Sequence, residues 1–243
     1  MKRIIIIGAT SGIGLELTKI YINKGWKVGI AGRRESLLAS IKNEYPNQVE
    51  YEVIDISLTN APFLLEKLIT CLGGMDLYFH SSGVGFQNPK LDTKIELDTI
   101  QTNVLGFTQM VNRAYHYFKE RKKGHIAIIS SIAGTKGLGV APAYSATKRF
   151  QNTYIDALEQ LSYLEKIDLQ FTDIKPGFVQ TNLLKGGGKY PLLMQPEKVA
   201  LIISKALDSK KRKLIIDWKY QILVFFWKLI PSSIWKRLPI KNK

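Results

Sequence analysis

This sequence is poor in the residues that build metal centres and disulfides. Its 243 residues include one cysteine, Cys71, and three histidines. A single cysteine excludes an intrachain disulfide and permits a reducing compartment, so the expected location is the cytoplasm. Three histidines with one cysteine give no metal-ligand cluster, and no metal is expected. Acid is scarce as well: 20 Asp and Glu against 35 Lys and Arg leave a net charge of +15. Long apolar runs are also missing. The opening run Ile4–Ile7 stops at Gly8, too short for the apolar region of a signal peptide, and reads as a first strand. The apolar tail segment Lys219–Ile230 has 12 residues. As a helix it would be about 18 Å long against about 30 Å of hydrocarbon, so it cannot span a bilayer.

What the chain does have is alternation. The continuous β-branched run Ile4–Ile7 reads as a strand buried on both faces, as in a parallel sheet, and further strands are read at Lys27–Ala31, Val49–Ile54, Asp76–Phe79, Gly124–Ser130, Asp168–Ile174 and Lys213–Ile216. Helical patterns fall between them, at Leu15–Lys24, Ser36–Tyr45, Leu58–Leu72, Thr93–Lys119, Pro142 to about Lys166, and from Pro196 onward. The expected fold is α/β, a doubly wound parallel sheet of about seven strands with right-handed crossovers and ligands at the strand C-terminal ends. Residues 1–217 form one nucleotide-binding domain in this reading, and 218–243 a short hydrophobic, amphipathic extension. No internal linker or repeat interrupts it.

The first strand runs into Gly8-Ala-Thr10-Ser11-Gly12-Ile13-Gly14 and then a helix. Strand, glycine-rich turn and helix N-terminus are the context a dinucleotide pyrophosphate requires. Glycines let the backbone approach, and the helix end offers N–H groups and a positive dipole. After the second strand an NAD site would carry an acid for the ribose, but this chain has Gly32-Arg33-Arg34. Two arginines suit a 2′-phosphate, so NADP(H) is favoured over NAD(H). Asp55-Ile56 follows the third strand, where Asp55 either bonds an adenine amino group or caps the next helix. His80 reads as a packed loop histidine rather than a catalyst. Residues 183–191, with Gly186–Gly188, read as a mobile lid.

Tyr144 and Lys148 are four residues apart on one helix face. At about 6 Å and an effective dielectric of about 20, the ammonium would favour phenolate by roughly 3 kcal/mol, or about 2 pKa units. Ser131 ends the fifth strand thirteen residues earlier, and Asn103 sits in the 93–119 helix.

In that order, the motifs resemble the short-chain dehydrogenase/reductase family, in its compact single-domain branch, over about residues 3–216. Gly8-x-x-x-Gly12-Ile-Gly14 resembles its cofactor turn, Ser131 and Tyr144-Ser-Ala-Thr-Lys148 its catalytic residues, and Asn103 the asparagine that completes a tetrad. Pro176-Gly177-Phe-Val179-Gln-Thr181 resembles the segment bordering the nicotinamide. The resemblance implies carbonyl reduction by hydride transfer. Ser131 would bond the carbonyl oxygen, Tyr144 would supply the proton, and Lys148 would lower the tyrosine pKa and hold the nicotinamide ribose. Asn103 would fix a water linking Lys148 to solvent. It also implies a homodimer or homotetramer built through helices such as 93–119 and 143–165. One departure is His80-Ser81-Ser82-Gly83, where the family has Asn-Asn-Ala-Gly; Ser81 can still hydrogen-bond, with shorter reach.

From Lys205 to Lys243, eleven Lys and Arg against two Asp give +9 of the +15. A nucleic-acid domain would spread its charge over a fold with base-reading aromatics, so no nucleic acid is expected. Trp218, Trp227 and Trp235 with Lys228, Lys236 and Arg237 suit an interfacial segment at an anionic membrane, on its cytoplasmic face, and hence an apolar carbonyl or alcohol substrate. A core or dimer-contact helix is the alternative for this segment. For the whole chain the alternatives are a non-catalytic NADP-binding regulator and a basic scaffold.

Overall fold

A computed structural model describes residues 1–181, 183–184 and 190–240. The glycine run of the expected lid, Gly186–Gly188, lies outside the described residues. Seven parallel strands are β1 (Arg3–Ile7), β2 (Lys27–Gly32), β3 (Val49–Val53), β4 (Leu77–His80), β5 (Lys123–Ile129), β6 (Asp168–Lys175) and β7 (Lys213–Ile215). They line up in the order β3-β2-β1-β4-β5-β6-β7. The chain winds outward from β1 to β3, then returns beside β1 as β4 and winds the other way. The crevice between the C-terminal ends of β1 and β4 is the switch point where such sheets bind ligands.

The isoleucine run of β1 shows why the sheet is buried on both faces. Ile4 and Ile6 join one core cluster, Ile5 and Ile7 the other, because successive strand side chains point to opposite faces. Each is fully or almost fully buried and contributes about 1.5–3 kcal/mol relative to exposure. On one face pack α1 (Gly12–Asn23), α2 (Glu35–Glu44), α7 (Pro196–Asp208) and α8 (Trp218–Leu229), the last through Tyr220 and Val224. On the other face pack α3 (Ala61–Leu72), α5 (Phe107–Arg121) and α6 (Pro142–Leu164). A single turn, α9 (Ser232–Trp235), follows α8.

The helix expected over 93–119 is not continuous. It divides into α4 (Thr93–Ile100), a π-helical stretch Gln101–Gly106, and α5. The wider π turn rotates the residues after α4 relative to an α-helical register. Asn103 is thereby fully buried, and Gly106 lies where a Cβ would come within 2.5 Å of the Ile56 carbonyl oxygen. Apolar periodicity does not reveal this register change, because both flanking segments keep helical spacing.

Candidate active site

The glycine-rich turn after β1 is shaped by its backbone. Gly8 (φ +89°) and Gly12 (φ +55°) occupy the left-handed region that side chains disfavour. A Cβ on Gly14 would stand 2.2 Å from the Gly8 carbonyl oxygen, so the first turn of α1 sits directly on the end of β1. Ser11 precedes α1 in extended conformation and makes no side-chain cap, while Ile13 anchors the turn in the core. The first N–H groups of α1 therefore stay available to an anion. Arg34 donates from Nε and Nη2 to the Thr10 hydroxyl (3.1 and 2.7 Å), folding one guanidinium over the turn. Arg33 lies near Asp55. Burial works to raise the Asp55 pKa, but two hydrogen bonds from Ser57 and the Arg33 charge bring it below the usual range. Asp55 Oδ1 accepts both Ser57 bonds (2.9 and 2.7 Å), making a local turn; α3 is instead preceded by Asn60. Ile56 is a core residue whose carbonyl accepts from Gln109.

Ser81 ties β4 to β1. Its hydroxyl donates to the Ile7 carbonyl (2.7 Å), and so does its backbone N–H (2.9 Å). The shorter side chain of the His80-Ser-Ser-Gly83 segment thus reaches its neighbour strand. Gly83 runs beside Lys148, where a Cβ would meet Asn103 Oδ1 at 3.1 Å and Lys148 Nζ at 3.7 Å. After β6, the Pro176 carbonyl accepts from Ile132 N–H, and Val179 is buried and bridged to Met194. The methyl of Thr181 closes over Gly12, 2.8 Å from where a Cβ would lie.

Ser131, Tyr144, Lys148 and Asn103 come together at the C-terminal ends of β4 and β5. Ser131, two residues past the end of β5, accepts from Ala133 N–H (3.1 Å), opening a 3₁₀ turn over Ile132–Thr135. Gly134 in that turn presses on the backbone of Lys148, which holds Ser131 opposite the first turn of α6. Glu96 Oε2 accepts from Ala143 N–H (3.0 Å), fixing the helix start that carries Tyr144. Asn103 grips the loop after β4: its Oδ1 accepts from Val84 N–H (2.9 Å) and its Nδ2 donates to the Val84 carbonyl (2.7 Å).

The relation of Tyr144 to Lys148 differs from the sequence expectation. Burial raises the Tyr144 pKa, and the Ser131 hydroxyl is the neighbour that draws it down. Lys148 Nζ lies 5.8 Å from the phenol ring centroid and donates elsewhere, to the Ile129 carbonyl and to Gln151 Oε1 (3.0 Å each). Desolvation of the phenolate outweighs the Ser131 hydrogen bond. Burial also pushes the Lys148 pKa down to about 8, opposed by the Asp173 carboxylate. His80 is packed, as expected, but it is the last residue of β4 and not part of a loop. It is fully buried, hydrogen-bonded through Nδ1 to the Tyr78 hydroxyl (2.8 Å), and its pKa is lowered to about 3 by burial and by Lys148.

Gln151 and Asp173 were not singled out from the sequence. Gln151 is buried and spans two groups of the tetrad, with Oε1 on Lys148 and Nε2 donating to the Asn103 carbonyl (2.9 Å). Its signal was the i+3 spacing from Lys148 on the inner face of α6. Asp173 is fully buried, accepts from the Ser130 hydroxyl, and pairs with Lys175 at 3.2 Å. Its signal was an acid inside an otherwise buried parallel strand.

A glycine cradle at the switch point, with a hydroxyl, a phenol and an ammonium beside it, is the equipment of a nucleotide-dependent oxidoreductase. The model of the short chain dehydrogenase family matches residues 2–189, and the chain belongs to that family. It is accordingly a nicotinamide-dependent dehydrogenase/reductase acting on CH–OH or C=O groups. Dehydrogenase/reductase SDR family member 7B of Xenopus tropicalis is 24% identical over 257 aligned residues, covering 95% of this chain and 82% of the relative. An uncharacterized oxidoreductase of Myxococcus xanthus is 28% identical, covering 95% and 93%. Among solved structures, a short-chain dehydrogenase from Streptomyces avermitilis superposes with a TM-score of 0.80 at 20% identity, covering 98% of this chain and 95% of the other. A serine dehydrogenase complexed with NADP+ gives 0.76 at 22% identity, covering 88% and 94%. These structural likenesses show the shared fold.

Proposed function

We propose that this protein reduces the carbonyl of a lipophilic small molecule with NADPH, or oxidises the corresponding alcohol, with Tyr144 as acid/base. The observation that carries the reading is the phenol of Tyr144 beside the Ser131 hydroxyl, directly backed by buried Lys148 and adjoining the Gly8–Gly14 cradle. When bound, the reduced nicotinamide supplies a hydride to the carbonyl carbon. The α1 N-terminus and the glycine turn hold the pyrophosphate, with Gly83, Pro176, Gly177, Val179 and Thr181 bordering the nicotinamide half. Arg33 and Arg34 take the 2′-phosphate, since no acid stands where a free ribose hydroxyl would need one.

Ser131 donates a hydrogen bond to the carbonyl oxygen, and Tyr144 delivers its proton to that oxygen as alkoxide charge develops. A raised tyrosine pKa suits the reductive direction, because the phenol is then fully protonated at neutral pH. Lys148 holds the ribose hydroxyls, and Gln151 and the Ile129 carbonyl aim its ammonium. The backbone of Gly85 runs against the Tyr144 ring with Leu183 alongside, and Phe86, Leu192 and Leu193 are exposed nearby in sequence. Such an approach favours an apolar substrate over a charged one. A regulator that only bound the cofactor would have no use for Ser131 and Tyr144.

Exposed Leu97, Ile100, Leu105, Leu161 and Leu164 on α4, the π turn and α6 support a homodimer or homotetramer through these helices. The cytoplasm is the proposed location. The reading is tested by a panel of aldehydes and ketones offered with NADPH and with NADH, followed at the nicotinamide absorbance. Apolar carbonyls turned over with NADPH well ahead of NADH are expected. No oxidation of either cofactor across the panel would sink it.

A further inference from the structure

Helix α8 carries two apolar faces. The inner face belongs to the domain: Tyr220 and Val224 are buried in the core, with Leu223 packed against it. The Tyr220 ring fills the space over Gly177, reaching to 2.2 Å from where a Cβ would lie. Its hydroxyl accepts from Phe178 N–H (3.2 Å) and donates to the Pro191 carbonyl (2.8 Å). Further on, Trp235 Nε1 donates to the Gly137 carbonyl (2.7 Å), and Lys136 Nζ to the Ile230 carbonyl (2.8 Å). The helix is thus fastened to the domain at both ends.

The outer face consists of Trp218, Ile222, Phe225, Phe226 and Leu229, at i, i+4, i+7, i+8 and i+11, a single stripe on a helix surface. They are 48–63% exposed. Ile234 and Leu238 continue the exposed apolar run beyond the helix. A stripe with three aromatics exposes on the order of 500 Å² of apolar surface, at the upper end of what a monomeric soluble protein leaves uncovered.

Charge selects the occupant. At 100° per residue, Lys219 and Lys228 fall on opposite flanks of the stripe. Lys236 and Arg237 follow α9, and Lys136 lies 5.9 Å from the Trp235 ring. The acid in this stretch, Asp217, spends one carboxylate oxygen capping Lys219 N–H (3.0 Å). A second copy docked on the same face would bring two cationic rims together. Anionic headgroups would neutralise the rim while acyl chains took up the stripe. Among the described residues no helix is long and apolar enough to cross a membrane, and α8 has 12 residues, so it would lie in the interface plane.

We propose that the outer face of α8 with its lysine rim is a docking surface for an anionic lipid bilayer. Because Tyr220 couples α8 to Gly177, Phe178 and Pro191, docking would turn the segment bordering the nicotinamide toward the lipid. That consequence rests on the reductase reading above; the docking itself does not.

The test is co-sedimentation of the full chain with phosphatidylcholine vesicles, with and without phosphatidylglycerol. Wild type, Phe225→Ser/Phe226→Ser and Lys219→Glu/Lys228→Glu are compared, with ultracentrifugation of each without lipid. Wild type should bind the anionic vesicles, and salt should weaken the binding. Each double variant should lose about tenfold or more in affinity, with unchanged thermal unfolding, since all four side chains are on the surface. Absence of wild-type binding, or undiminished binding by both variants, overturns the proposal. So does an oligomer that Phe225→Ser/Phe226→Ser dissolves while wild type ignores vesicles, since the face would then belong to a second copy. Vesicle binding by a Tyr144→Phe variant separates failure of docking from failure of the reductase reading.

Discussion

Behind Tyr144 the protein buries Lys148, Gln151, Asn103 and Asp173, with half-buried Lys175 beside them; on α8 it exposes Trp218, Ile222, Phe225, Phe226 and Leu229. The two regions reverse the usual distribution of polarity in opposite senses. The buried polar cluster is answered from within: Gln151 serves Lys148 and Asn103, and Ser130 and Lys175 serve Asp173. Such groups are costly unless hydrogen-bonded, and once bonded they fix one arrangement and shift pKa values. The α8 stripe has no such answer among the described residues, so its partner must come from outside. Chemistry is the expected output of the first kind of region and attachment that of the second.

The comparison breaks most completely if the buried cluster proves to be only structural. Tyr144→Phe keeps the ring and removes the proton donor. The carbonyl reduction rate should fall by about 10²–10⁴-fold, with NADPH binding retained, as measured by steady-state turnover and fluorescence titration. Wild-type turnover would make Tyr144 a packing residue. A second contrast lies within α8. Tyr220→Ala removes a buried ring and two hydrogen bonds and should cost about 3–5 kcal/mol in urea unfolding. Phe225→Ala, on the outer face, should stay within about 0.5 kcal/mol of wild type. Equal losses would mean that both faces are covered.

Sequence patterns made the centre of the sheet legible because β1 is a buried apolar run that reads directly as Ile4–Ile7. The glycine cradle was legible because a positive φ and a 2.2 Å approach leave few alternatives to glycine at Gly8 and Gly14. The partners of Lys148 were harder. Four-residue spacing brings it to the face of Tyr144, but the direction of its ammonium depends on Ile129 from β5 and Gln151 from the next turn. Sequence spacing alone sets one charge against one phenol. The fold added desolvation, which reverses the sign at Tyr144. The π turn that buries Asn103 was invisible for a similar reason: its consequence is set by Ile56 and Val84, which are distant in sequence.

Gln151 provides a sharper reading of the buried side. Its Oε1 accepts from the ammonium and so favours the charged form of Lys148. Gln151→Leu should move the Lys148 pKa below about 8, by about 1 unit, and Gln151→Glu should move it upward. Lysine Cε chemical shifts across a pH series read this without turnover. Asp173 on β6 and His80 on β4 also face Lys148, so both variants need the Asp173–Lys175 pair intact. A pKa that stays put in both folded variants would leave Gln151 as filler.

The smallest expected effect concerns His80, a buried group the cluster leaves half answered: Nδ1 meets Tyr78, while Nε2 has no partner among the described residues. Its pKa is depressed from 6.5 to about 3, and that of His125 to about 4, both chiefly by burial. An unfolded chain takes up these protons near pH 6.5, and the native state does not. The associated stability is therefore complete above pH 6.5 and is lost as pH falls toward the folded values. Each histidine adds about 1.4 kcal/mol per pH unit to the slope across that window. His80→Asn should remove one such contribution, so its unfolding free energy should fall less steeply than that of wild type between pH 6 and pH 4. Parallel slopes in urea titrations would mean that His80 protonates in the native state. The buried side would then be open to solvent at the very residue that separates it from the loop after β4.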